Sequence, residues 1–242
     1  MRPFLLLATR AEDLAADEEY AAFVRFGGLD ASRLERLRLE AEPLGQIDFE
    51  RYAGIILGGS PFTISDEEKS DVQVRVEAEL ADLTLRAIAD DYPFLGACYG
   101  IGVIGTAIGA LVDDTYGEDV SAPVVSLTDA GRTDPLFSVL PPTFEAFVGH
   151  KEAIRHLPEK AVVLASSELC PVQAFRVGKN VYATQFHPEL DGPGLQTRIE
   201  TYRHHGYFAP DEVDELKAMA ESSDVTHPPA LVRRFVELYA DA

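Results

Sequence analysis

Apolar residues recur along this chain in two rhythms, one suited to buried strands and one to amphipathic helices. Residues 3–8, Pro3-Phe4-Leu5-Leu6-Leu7-Ala8, form an unbroken apolar run, the pattern of a strand buried on both faces. Residues 11–26 then set Leu14, Tyr20, Ala21, Phe23 and Val24 mainly on one side of a helix, which Gly27-Gly28 ends. Leu34, Leu37 and Leu39 suggest a second strand, and residues 52–57 a third. The third closes on Gly58-Gly59-Ser60-Pro61, a turn whose backbone can approach a ligand closely. Residues 71–89 read as a long helix through Val72, Val76, Leu80, Leu83 and Ile88. Tyr92-Pro93-Phe94-Leu95 begins a fourth strand. From 120 to 186 the rhythm shortens to β-rich runs at 122–127, 143–148, 161–166, 172–177 and 181–186. Helices resume at 195–204, 211–221 and 229–239. The early alternation predicts parallel βαβ units, and the later runs an antiparallel extension of the same sheet. The expected fold is a three-layer α/β/α sandwich with a mostly parallel central sheet. One domain is expected over residues 1–242, its end from about 194 a helical extension.

Composition narrows the setting. With 41 acidic against 21 basic residues the formal net charge is −20, which argues against nucleic acid or an anionic membrane as partner. Cys98 and Cys170 are the two cysteines, and no secretory signal is apparent. A reduced, cytoplasmic protein without a disulfide is expected. Residues 94–112 carry no charge and contain Gly105-Thr106-Ala107-Ile108-Gly109, features of a membrane helix. The five glycines in that stretch and its strand-like start favour a buried strand followed by a buried helix.

The candidate chemistry sits after the fourth strand. Gly96-Ala97-Cys98-Tyr99-Gly100 reads as a sharp strand-to-helix turn holding a thiol at the bend. Much later, Gln185-Phe186-His187-Pro188-Glu189 supplies an imidazole with a carboxylate two residues on. Thiol, base and orienting acid are the three parts of an activated-cysteine site. Attack on a carbonyl creates an oxyanion, which needs two preorganised donors. The backbone N–H groups of Tyr99 and Gly59 are the candidates, because neighbouring parallel strands end side by side.

These motifs resemble the class I, triad-type glutamine amidotransferases, in particular the glutaminase part of GMP synthase. Residues 52–59, Tyr52-Ala53-Gly54-Ile55-Ile56-Leu57-Gly58-Gly59, are similar to the family's oxyanion strand. Gly96-Ala97-Cys98-Tyr99-Gly100 resembles its nucleophile elbow, and Gln185-Phe186-His187-Pro188-Glu189 its His/Glu signature. Gly149-His150-Lys151-Glu152 with Leu157-Pro158 looks like the segment that cradles glutamine. The resemblance implies a flavodoxin-like fold. It also implies Cys98 as nucleophile, His187 as general base then acid, and Glu189 as its orienter. Gly58, Gly102, Gly149 and His150 would border the substrate. Glutamine would give glutamate and ammonia through a Cys98 thioester, with no cofactor or metal. No Gly-rich phosphate loop is present, so an ATP-dependent synthetase receiving the ammonia would be a separate chain.

The chain departs from the family at two places. Gly102 stands where a substrate-holding Gln is usual, and Gly58-Gly59-Ser60-Pro61 replaces Gly-Gly-Pro-Gly. The first change leaves a γ-glutamyl hydrolase or peptidase as an alternative, beside a non-catalytic binding or regulatory relative. Elsewhere, His204-His205 reads as a solvated helix face, Cys170 as a packed strand-end residue and His156 as surface. His150 reads equally as a pocket residue or plain loop structure. Asp90-Asp91 is expected to be a polar loop, and Tyr116-Gly117-Glu118 to lie near the site mouth.

Overall fold

The computed structural model describes residues 2–205 and 208–240. Strand β1 (Phe4–Ala8) is buried along its length, and its alternate side chains enter different cores. Phe4 and Leu6 face one, Leu5 and Leu7 the other. The chain continues through α1 (Asp13–Gly27), β2 (Leu34–Arg38), β3 (Ile55–Leu57), α2 (Asp71–Ala89), β4 (Phe94–Ala97) and α3 (Tyr99–Ala107). Then come β5 (Leu111–Asp113), β6 (Glu118–Ser121), β7 (Val124–Leu127), α4 (Asp129–Thr133), β8 (Thr143–Glu145), β9 (Val148–His150) and β10 (Ala153–His156). Strands β11 (Ala161–Ser166), β12 (Ala174–Val177) and β13 (Val181–Thr184) precede helices α5 (Gly192–Thr201), α6 (Val213–Ser222) and α7 (Pro229–Tyr239).

The main sheet has nine strands in the order β2-β1-β3-β4-β13-β12-β11-β7-β8. Its first five strands are parallel, so β3, β4 and β13 end side by side, with Leu57 and Ala183 both opposite Gly96. Helices α1 and α7 cover one face, where Phe235 packs on Phe4 at 5.9 Å between ring centroids. Helices α2 and α3 cover the other. This is the expected α/β/α sandwich, and α7 is part of an outer layer. A third cluster joins Phe147, Leu190, Leu195, Ile199 and Val213 beside the strand ends.

Several boundaries differ from the sequence pattern. Strand β13 runs parallel to β4, so the antiparallel extension begins only at β12. Residues 143–148 divide: β8 stays in the main sheet, whereas β9 leaves it to pair with β6. Strand β3 starts at Ile55, with Ala53 and Gly54 still bonded to the first strand's neighbourhood through Pro3 and Leu5. On α1 the buried face is Ala15, Ala16, Glu19, Ala22 and Phe23, and Leu14 is 62% exposed. Small side chains let this helix lie close to the sheet, and they admit one charged residue, Glu19.

Candidate active site

Cys98 occupies the turn between β4 and α3 with φ +51° and ψ −94°, a conformation costing on the order of 1–3 kcal/mol for a non-glycine residue. Its N–H donates to Thr184 O at 2.8 Å, and its carbonyl accepts from Ile101 N–H at 3.0 Å, which fixes the bend from both sides. Glycine at 96 is required by packing: a Cβ there would lie 2.9 Å from Gly100 Cα and from Ile104 Cδ1. The helix therefore folds back tightly on its strand and leaves the thiol partly exposed at the helix N-terminus.

His187 follows β13 and faces this thiol. Its Nδ1 lies 2.8 Å from Glu189 Oε1, and the ring lines the same cleft as Cys98. Burial alone would push the ring toward its neutral form. The charges of Glu189 and Cys98 outweigh it, and the imidazole is raised to about 9. Glu189 is fully buried; burial opposes its charge, but His187 and Arg198 hold it well below the usual carboxylate range. Arg198 Nη2 donates to Glu189 Oε1 at 2.8 Å, and its Nη1 lies 3.0 Å from His187 Nδ1. Nδ1 cannot both donate to Glu189 and accept from Arg198. With the ring charged, Nδ1–H serves Glu189 and Nε2–H is left for the cysteine.

Behind this group lies a second buried carboxylate. Glu19 Oε1 accepts from Arg10 Nε at 3.0 Å and from Arg198 Nη2 at 3.4 Å. It also accepts from the Gly59 N–H at 3.2 Å. The Gly59 N–H, expected to meet the oxyanion, is thus bonded to Glu19. Gly58 and Gly59 are glycines because Glu19, Arg10 and His187 fill the space their Cβ atoms would need. Ser60, the next residue, borders Cys98 in both adjoining clefts, and its N–H makes no hydrogen bond among the described residues.

A comparison with known families settles the assignment. The profile described as "Glutamine amidotransferase class-I" matches residues 31–193. The chain belongs to this family. This cysteine-dependent glutamine amidotransferase is 30% identical over 146 residues to a subunit of glutamine-hydrolyzing GMP synthase from Methanobrevibacter smithii, covering 60% of the chain and 68% of that protein. The GMP synthase subunit of the same description from Methanocaldococcus jannaschii is likewise 30% identical over 150 residues, 61% of the chain and 71% of the relative. Against the GMP synthase of Borreliella burgdorferi the match is 29% identical and covers 61% of the chain but 26% of the relative's length. A glutamine amidotransferase from Thermotoga maritima superposes over the whole of both chains with a TM-score of 0.77 at 22% identity. One from Methylobacillus flagellatus gives 0.70 at 16% identity, over 98% of the chain and 95% of that protein. These two likenesses concern the fold.

Two clefts meet at Cys98 in this amidotransferase. The first, of about 420 Å³, runs past Ser60, Tyr99, Gly102, Gly149, His150 and Glu152. The place of the missing Gln is filled: a Cβ at Gly102 would lie 3.0 Å from Glu152 Oε1 and 3.2 Å from Ile64 Cγ1. Glu152 in turn accepts from Ile64 N–H at 2.8 Å and Ser65 N–H at 2.7 Å, clamping the loop after β3 over the cleft. His150 is buried, with Nδ1 2.8 Å from the Glu152 carbonyl and Nε2 3.0 Å from Glu118 Oε2. The Glu152 carbonyl can only accept, so Nδ1 donates to it and Nε2 is left facing Glu118. Glu118, His150 and Cys170 bring ligand-type atoms within 4.8 Å of one another. Gln173 Nε2 also donates to Glu118 at 2.7 Å, which gives that carboxylate hydrogen-bond partners without an ion. His204 and His205 are exposed beyond α5, His205 pairing with Glu12, and His156 is exposed on β10.

Sequence reasoning missed Glu19, Arg10 and Arg198. Arg10 had a signal: it follows the first parallel strand, on the edge where such sheets bind ligands. Glu19 sits in the acidic run Asp17-Glu18-Glu19 and resembles an ordinary solvated face.

Proposed function

We propose that the chain hydrolyses the side-chain amide of glutamine to glutamate and ammonia through a thioester on Cys98. The observation that carries this reading is the hydrogen-bonded His187–Glu189 pair on the cleft that also holds Cys98, at the N-terminus of α3. The Cys98 thiolate adds to the amide carbon, and the charged oxygen that forms is met by the Tyr99 and Ser60 N–H groups. His187 gives its Nε2 proton to the departing nitrogen, the C–N bond breaks and ammonia leaves. Water, deprotonated by the now neutral His187, attacks the thioester, and glutamate is released with the thiolate and imidazolium restored. Glu189 keeps the ring oriented through both steps, and Arg198 keeps Glu189 ionised and in place.

In the same reading the glutamyl half lies in the first cleft against Gly102, Gly149 and His150, beneath the loop that Glu152 clamps. The ammonia would be passed to a separate ATP-dependent synthetase. Its support is the naming of two relatives as subunits of glutamine-hydrolyzing GMP synthase. Ammonia release from glutamine, measured for the wild type and for Cys98→Ala, tests the hydrolysis. Turnover that depends on Cys98 is expected; equal rates in the two proteins would exclude it. Alkylation of Cys98 by a glutamine analogue should slow in His187→Ala, because the base that supports the thiolate is gone.

A further inference from the structure

We propose that the second cleft at Cys98 is a leaving-group subsite for an apolar amine, so that secondary γ-glutamyl amides are substrates of this site alongside glutamine. This rests on the Cys98 thioester reading and extends it to the substrate class. The cleft, which opens to solvent, starts at Cys98 and His187, the two residues a departing nitrogen must touch. It lies apart from the first cleft, and the two share Ser60, Cys98 and Gly149. Ammonia is about the size of a water molecule, whereas the walls of this cleft continue from Cys98 and His187 to Val120 and Phe208, room that an ammonia leaving group does not need.

Its walls say what fits. Val148, Leu190, Leu195, Ile199, Tyr202 and Phe208 supply apolar surface. The two cations that border it, Arg10 and Arg198, are spent on Glu19 and Glu189. Past Val120 and Phe208 the cleft adjoins a groove carrying Asp119, Glu212 and Glu215. Those carboxylates repel a leaving group that ends in a carboxylate, so an alkyl or aryl amine is favoured over an amino acid or a glutamate chain. The chemistry balances as it does for glutamine. Cys98 Sγ bonds the γ-carbon, the C–N bond breaks, and the His187 Nε2 proton goes to the amine nitrogen. Water then cleaves the thioester.

Steady-state kinetics of the full chain with glutamine, γ-glutamylbenzylamide and γ-glutamylglutamate test this. The benzylamide should show a kcat/KM about tenfold above that of glutamine, and γ-glutamylglutamate should fall below both. Val120→Phe narrows the cleft and Phe208→Asp adds charge to it. Both positions are half-buried, so the fold should tolerate the changes. Each should lower the benzylamide-to-glutamine ratio about tenfold. Hydrolysis of the benzylamide no faster than glutamine, or a ratio unmoved by both variants, overturns the subsite while leaving glutamine hydrolysis intact. If no substrate turns over and a glutamine analogue fails to label Cys98, the thioester reading falls and takes the subsite with it.

Discussion

The carboxylate of Glu189 decides what His187 can do. Without it, burial of the ring would dominate, and the neutral imidazole would be favoured at neutral pH. The ring of the wild type should therefore titrate near 9 by NMR, remaining charged below that value. In Glu189→Gln the midpoint should fall, and a midpoint still near 9 would show that Glu189 is not the cause. The oxyanion donor is testable at the same scale. Ser60→Pro removes the backbone N–H, and Ser60→Ala keeps it. The proline variant should lose about 10²–10³ in kcat while the alanine variant stays within a few-fold. If Gly59 were the donor, neither substitution would remove it. The sequence pointed to Cys98 through a short motif after β4, and to His187 and Glu189 through a single motif after β13. The bond that occupies the Gly59 N–H was not legible, because its acceptor, Glu19, comes from another element.

Helices α1 and α5 meet the strand ends through the buried charges of Glu19, Arg10 and Arg198, with Glu189 from the loop after β13. Removing one partner strands the others in a dry site. Glu19→Ala should lower the unfolding free energy by about 3–5 kcal/mol in urea titrations; a change under about 1 kcal/mol would mean that water reaches the arginines. Helix α3 makes a second prediction. Restoring the family's residue with Gly102→Gln places atoms where Glu152 and Ile64 now pack. The variant should be destabilised by about 1–3 kcal/mol and should gain no glutaminase activity, because the clamp on Ile64 and Ser65 is disturbed. Helical periodicity located α1 and placed Phe23, Tyr20 and Val24 against the core, but it also put Leu14 and Ala21 there, which are exposed. The buried face also includes Ala15, Ala16, Ala22 and Glu19, which the pattern did not pick out.

For the molecule as a whole, the parallel half of the sheet was readable from unbroken apolar runs separated by helical stretches. The uncharged residues 94–112 resolve into β4, α3 and β5, and among the described residues no helix is long and apolar enough to cross a membrane. Strand direction in the later half was not readable. A run such as 181–184 is equally apolar in either direction, and only its pairing with β4 sets it parallel. That pairing brings His187 to Cys98, so the topology makes the site. It also separates the two cysteines: Cys170 is buried and its thiol is pushed up to about 12 by burial, whereas Cys98 faces the clefts. The most direct measurement is the intact mass of the protein after incubation with 6-diazo-5-oxo-norleucine, a glutamine analogue, followed by mapping of the adduct. One adduct is predicted, on Cys98, absent in Cys98→Ala and formed more slowly in His187→Ala. An unmodified protein, or an adduct mapped to Cys170, would contradict the account.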